Sequence, residues 1–219
     1  MTRPHLPRLT GLLDAAAREG VAPALAVEVR RGGSVLHQSH HGQAQLLPAP
    51  RPLGPGDLFD VASLTKVMAT ASIAALLVDA GALELDAPVA RLLPEVSPTH
   101  RGITLRHLLA HTSGLPAWRP LHAAGRGSDA VVAVAAATPL EAAPGTRAVY
   151  SDLGFILLGA ALERAAGAPL DALFAARVSV PLGLAATFFL RQGDPVGAAR
   201  RAQHRFAATR RTPERGVLV

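Results

Sequence analysis

Cysteine and asparagine are both missing from the 219 residues. Without cysteine there can be no disulfide and no thiolate metal site, a fact that is neutral about compartment. Charge is scarce too, at 17% of residues against 49% hydrophobic, a balance that describes a globular chain and not a disordered one. A chain of this length can bury a sizeable core as one domain or two small ones. Internal repeats are absent. No uninterrupted apolar run reaches the roughly 18 residues of a membrane span; residues 64–80 come nearest, and Lys66 and Asp79 punctuate them. The opening Met1-Thr-Arg-Pro-His-Leu-Pro carries no apolar stretch of a secretory signal, so the sequence as written reads as cytoplasmic.

The rarest residues are the most informative. Lys66 is the one lysine among 22 basic residues, and the rest are arginine. It stands three positions after Ser63. Arginine keeps its proton in proteins whereas lysine can be tuned to release it, so a lone lysine at S-x-x-K spacing indicates a need for an amine. Residues 64–80 read as one helix, apolar on almost every face and stopped by Gly81, and such a helix is expected to be buried. Residues three apart share a helix face, which brings Lys66 Nζ within reach of Ser63 Oγ. Burial disfavours the ammonium and is expected to lower its pKa, as a proton acceptor requires. The helix dipole favours negative charge developing at the serine. A purely structural alternative has Ser63 as an N-cap and Lys66 extending to water.

Tyrosine also occurs once, at Tyr150, just before an apolar helical run at 155–162 for which Asp152 is a possible N-cap. By itself such a tyrosine reads as packing. Four ordered blocks place it in a constellation: LFDVASLTK at 58–66, GALELDAPVARLLP at 81–94, ITLRHLLAHTSGLP at 103–116 and PGTRAVYSDLGFILLG at 144–159. With these the chain resembles the serine β-lactamase and penicillin-binding-protein superfamily. It is most similar to the class C β-lactamase-like serine hydrolases, which include D,D-carboxypeptidases, D-aminopeptidases and esterases.

The resemblance implies an α+β, β-lactamase/transpeptidase-like fold, an antiparallel sheet flanked by helices with a mainly helical region beside it. It implies Ser63 as acylated nucleophile, Lys66 as its proton partner, Tyr150 sharing the acid/base work and the Ser63 backbone N–H as an oxyanion donor. These roles agree with the need of a serine hydroxyl for a neighbouring base and of an oxyanion for fixed donors. It implies no cofactor. The chain departs from the family pattern in two places. The family's Tyr-x-Asn motif ends here in Asp152, whose charge favours a protonated Lys66 and shifts weight to Tyr150, a phenol whose pKa falls beside an ammonium. The family's third motif, Lys-Thr-Gly or His-x-Gly, does not occur before Val219. The expectation is therefore a partial chain that lacks the second oxyanion donor and, alone, is poorly active and prone to aggregate.

On this reading residues 1–219 form one partial domain. Residues 1–60 supply an N-terminal helix and the first strands. Residues 61–185 supply the nucleophile helix and a helical region, and 186–219 form an arginine-rich segment. Leucines at 6, 9, 12 and 13 predict an amphipathic helix over 6–19. Residues 24–30 and 34–41 predict a hairpin around Arg31-Gly32-Gly33. The proline-rich residues 47–56 predict a loop. Residues 64–180 read as mainly helical, broken at Gly81, Ser113-Gly114 and Pro144-Gly145.

The other features are bland. His40-His41, and His107 with His111 at i, i+4, lack the carboxylate or third ligand that a metal site needs, so no metal is expected. The tail carries Arg191, Arg200, Arg201, Arg205, Arg210, Arg211 and Arg215, and the net charge is +6 with pI near 11.2. No nucleic-acid motif accompanies them, and a compositional bias towards arginine and alanine accounts for them. The favoured function is a serine hydrolase opening a β-lactam, D-amino-acid peptide or carboxyl ester through acyl-Ser63. The alternative is a catalytically impaired relative that binds such ligands. The expected partner is a small-molecule or peptide-like acyl substrate, with no nucleic acid and no membrane span. Export to the periplasm is the family's analogy, and oligomeric state is not legible.

Overall fold

A computed structural model describes residues 6–121, 127–190, 195, 199–200 and 203–207. Most of the arginine-rich tail, Arg191, Arg201, Arg210, Arg211 and Arg215 included, lies outside the described residues. The chain divides into two compact units, Met1–Val61 with Phe189–Val219, and Ala62–Phe188.

In the first unit, helix α1 (Pro7–Arg18) starts with proline in its first turn, where the missing N–H costs nothing. Its face is only half buried, and Leu12, expected to face inward, is 67% exposed. Strands β1 (Ala24–Arg31) and β2 (Ser34–Gln45) pair antiparallel from Ala24↔Gly42 to Arg31↔Ser34. Gly32 and Gly33 both take positive φ, the requirement of a two-residue hairpin turn whose twist suits the strands. Leu25, Val27 and Val29 alternate with exposed Ala26, Glu28 and Arg30, so β1 has one covered face. Inside the expected proline-rich loop, β3 (Arg51–Pro52) adds to β2. Strands β4 (Asp57–Leu58) and β5 (Arg205–Phe206) form a separate parallel pair. The Asp57 side chain is fully buried there, 2.9 Å from Arg51 and 3.4 Å from Arg205, and accepts the Gly54 N–H at 2.8 Å. The small core beside it consists of Ala24, Ala44, Leu53 and Ala207.

The second unit is built round α5 (Asp152–Ala166), which packs on α2 (Ser72–Asp79), α3 (Leu105–Leu109), α4 (Ser128–Ala137) and α6 (Leu170–Phe174). Ile73, Leu77, Leu93, Ile103, Leu108, Leu153, Leu157 and Leu158 are each at most 2% exposed and supply its dry interior. The helical content is lower than expected. Residues 80–104 are turns with two single 3₁₀ turns, and 138–151 are turns and bends, because prolines at 88, 94, 98, 139 and 144 remove donors a helix needs.

The nucleophile segment corrects two expectations. It is not one α-helix: a π-helix occupies Lys66–Ala71 and hands over to α2. Nor is it buried all round, since Leu64 and Val67 are 57% and 59% exposed while Ala69, Thr70, Ile73, Ala74 and Leu77 are covered.

Candidate active site

Ser63 sits in the turn that opens this segment, and Ala62 before it takes φ 44°. A left-handed alanine is strained by about 1–3 kcal/mol, and here it turns the chain so that Ser63 stands exposed at the helix start. The Lys66 N–H closes back onto the Ser63 carbonyl at 3.0 Å. On the next turn, as the spacing requires, Lys66 Nζ donates to Ser63 Oγ at 3.1 Å.

Tyr150 and Asp152 arrive from the start of α5. The cap of that helix is Ser151 and not Asp152: extended Ser151 accepts the Gly154 N–H on Oγ at 3.1 Å and donates to the Pro116 carbonyl at 2.7 Å. A serine in the extended conformation reaches the third amide, whereas Asp152 is already helical and its carboxylate turns elsewhere. It lies 2.7 Å from Lys66 Nζ. The ammonium is also 5.0 Å from the centre of the Tyr150 ring and 5.9 Å from that of Phe155. Ser63, Lys66, Tyr150 and Asp152, far apart in sequence, are thus together.

Of the two opposed expectations for Lys66, a pKa lowered by burial and a charge favoured by Asp152, the electrostatics follow the second. Burial pulls the Lys66 pKa down and is the largest single influence. The hydrogen bonds that the amine donates to Asp152 and Tyr150, with their charges, outweigh it and hold the amine above a lysine's ordinary value. Lys66 is therefore an ammonium at neutral pH. Tyr150 moves the other way: its hydrogen bond with Ser63, then that with Lys66, lowers the phenol below a tyrosine's ordinary value. Of the two groups beside Ser63, the phenol is the one whose deprotonated form the surroundings favour.

In the sequence His111 reads as half of an i, i+4 pair with His107 and as the first residue of the family's His-Thr-Ser-Gly loop. The two do not share a helix face, because α3 ends at Leu109 and His111 turns into φ 57°. His107 is spent on the capping box of α3, its Nδ1 accepting the Thr104 N–H at 3.2 Å. His111 instead packs its ring on Tyr150, with centroids 4.4 Å apart, and on Phe155 at 4.8 Å, and its Nδ1 accepts the Ser151 N–H at 3.0 Å. The sequence signal that marks it is the turn grammar of His-Thr-Ser-Gly. Gly114 takes φ +82°, and a Cβ there would lie 2.0 Å from the Ala142 carbonyl oxygen. Among the described residues no group of three or more His, Asp or Glu is arranged to hold a metal ion. No single described helix is long and apolar enough to cross a membrane.

The family model described as Beta-lactamase matches residues 11–217. Esterase EstB of Burkholderia gladioli is 37% identical over 198 residues, which are 81% of this chain and 50% of EstB. D-alanyl-D-alanine-carboxypeptidase/endopeptidase AmpH of Escherichia coli K12 is 37% identical over 144 residues, 61% of this chain and 37% of AmpH. Among solved structures, EstCE1, described as a hydrolase with promiscuous acyltransferase activity, superposes with TM-score 0.70 at 29% identity, covering 81% of this chain and 51% of its own. The chain spans half or less of the length of these curated relatives.

Proposed function

The chain belongs to the β-lactamase family and has its α+β, β-lactamase/transpeptidase-like fold, and from that premise we propose that it carries the acylation centre of a serine hydrolase acting on an ester or amide. The observation that carries this reading is Ser63 Oγ at 3.1 Å from Lys66 Nζ, hydrogen-bonded also to Tyr150, on an exposed turn open to substrate. Tyr150 Oη takes the proton as Ser63 Oγ attacks the acyl carbonyl, and then gives it to the departing alkoxide or amine. Water hydrolyses acyl-Ser63 by the same route, its proton passing through Tyr150 back to Ser63. Lys66 stays an ammonium throughout, kept so by Asp152, and its charge favours the phenolate on which both half-reactions depend.

A carboxyl ester is the first substrate to test, since EstB matches the larger share of this chain. The binding-only alternative is not favoured. Asp152 holds Lys66 charged but in doing so supports Tyr150 as base. The test is incubation with a fluorophosphonate probe, a chromogenic short-chain ester and a chromogenic cephalosporin, followed by mapping of the adduct. Label at Ser63 that disappears in Ser63→Ala is the expected result. Label at any other serine, or label that survives the substitution, rejects the assignment.

A further inference from the structure

One residue holds three consecutive residues of the Tyr150 loop. The His111 carbonyl accepts the Val149 N–H at 2.8 Å, its Nδ1 accepts the Ser151 N–H at 3.0 Å, and its ring lies on the ring between them at 4.4 Å and 32°. The second face of the clamp is Phe155, 4.8 Å from the His111 ring centre. His111 is itself fixed from both sides: the Ala110 N–H bonds the Arg106 carbonyl at 2.9 Å, and Thr112 bonds the His107 carbonyl through its N–H and the Gly145 N–H through its carbonyl, each at 2.8 Å. Its backbone is left-handed at φ 57°, a strain that persists only where the surroundings fix it. Tyr150 needs such support, being 55% exposed and free of any cover that would hold its ring by burial alone.

We propose that His111 is the positioning residue for Tyr150, fixing the phenol against Ser63 and Lys66 by ring packing and by anchoring Val149 and Ser151; this role rests on the acyl-transfer reading above. It requires a neutral imidazole. With Nδ1 accepting from Ser151, the ring proton sits on Nε2. A second proton would set an Nδ1–H against the Ser151 N–H, two donors facing each other, and would add a cation to a site that already holds Lys66. The groups that face the ring are Lys66, Asp152 and the Tyr150 phenol. Burial and then Lys66 lower the His111 pKa while Asp152 opposes them, so the ring stays neutral to a lower pH than an ordinary histidine.

The test uses His111→Asn, which accepts a left-handed φ and keeps a side-chain oxygen where Nδ1 lies, and His111→Phe, which keeps a ring but has no acceptor. With a chromogenic ester, both are expected to lower kcat about ten- to a hundredfold with KM changed by no more than about twofold, the pattern of a misplaced base. The wild-type profile is expected to carry a second acid step below the Tyr150 rise, where His111 takes a proton, and that step is expected to be lost in both variants, because nothing titrates at 111. Unchanged kcat, or retention of the second acid step, in both variants overturns the role. Should either variant fail to melt cooperatively, the imidazole ¹⁵N spectrum of the wild type decides. An Nε2–H tautomer with a titration below the ordinary histidine value, tracked by the Ser151 amide, supports the role. A proton on Nδ1, or a titration at or above that value, rejects it. Absence of label on wild-type Ser63 removes the acyl-transfer reading, while the ring spectrum still reports whether His111 holds the loop.

Discussion

Each unit of the molecule contains a serine bonded to a basic side chain that is bonded to an aspartate, and the two clusters differ in their surroundings. In the first unit Asp14 is 2.6 Å from His41 Nδ1, and His41 Nε2 is 2.8 Å from Ser39 Oγ. In the second, Asp152 is 2.7 Å from Lys66 Nζ, which is 3.1 Å from Ser63 Oγ. The first set follows the order of a hydrolase triad more closely than the second. Yet Ser39 lies inside β2, paired with Val27, and its hydroxyl is shared with a second imidazole, His37 Nε2 at 3.0 Å. Its neighbours form a closed polar cluster on a covered sheet face, which holds α1 to the hairpin. Ser63 stands at a helix start, follows a left-handed residue, is exposed, and has a phenol with lowered pKa beside it. Residue identity and contact distance do not separate the two clusters. Backbone position and exposure do.

The strongest attempt to break this contrast is Ser63→Ala against Ser39→Ala. The first is expected to cost about five to six orders of magnitude in turnover and all fluorophosphonate label. The second is expected to leave both within about twofold, and label found on Ser39 would erase the distinction. Next comes Tyr150→Phe, with a loss of about 10²–10⁴ in kcat. In the wild type, activity is expected to rise as pH climbs through the lowered Tyr150 pKa and to fall only above the ordinary lysine value, where Lys66 sheds its proton. A pH profile flat from neutrality to that point removes the phenol from the base role. Gly114→Ala places a methyl 2.0 Å from the Ala142 carbonyl oxygen at φ +82°, and a stability loss of about 2–3 kcal/mol is expected in denaturant titration.

Asp152→Asn is expected to change activity at neutral pH by about tenfold or less. It removes the leading influence that raises the Lys66 pKa, so the alkaline limb moves to lower pH. An unmoved limb would mean that Asp152 does not govern the ammonium. The smallest effect is expected from Asp14→Ala, which leaves His41 Nδ1 without its partner. About 1 kcal/mol of stability is lost and the Ser63 labelling rate is unaltered.

What the sequence made legible follows from how far apart the cooperating residues lie. Ser63 and Lys66 are three apart, and helical geometry alone brings them together. The hairpin is legible because Gly32-Gly33 admits few other turns. The charge of Asp152 beside Lys66 is expected from the resemblance, but the helix cap is not legible, because the choice between Ser151 and Asp152 hangs on one residue's backbone angles. Burial alone predicts a fall in the Lys66 pKa, and the acid that outweighs it comes from 86 positions away, where the resemblance and not the local spacing puts it. The i, i+4 spacing of His107 and His111 does not put them on one helix face, because α3 stops two residues short of His111. Leu64 and Val67 show the converse, since apolarity on all faces of a segment does not say which faces the fold covers. The parallel pairing of β4 with β5 joins two-residue strands, and two residues carry no periodicity to read.

The wide turn at Lys66–Ala71 separates two orientations that an ordinary helix would couple. Along an α-helix each residue rotates by about 100°, so the direction of Lys66 would dictate the directions of Ile73 and Leu77 by residue count. One additional residue absorbed into a looser coil breaks that gearing. The upstream end can aim at the phenol while the downstream end seats in the leucine-rich interior. Removing a single residue between 67 and 71 would re-engage the gear and swing Ser63 and Lys66 together away from Tyr150, leaving the anchored half in place. The chemistry would then be lost by arithmetic, with every reacting side chain still in the sequence.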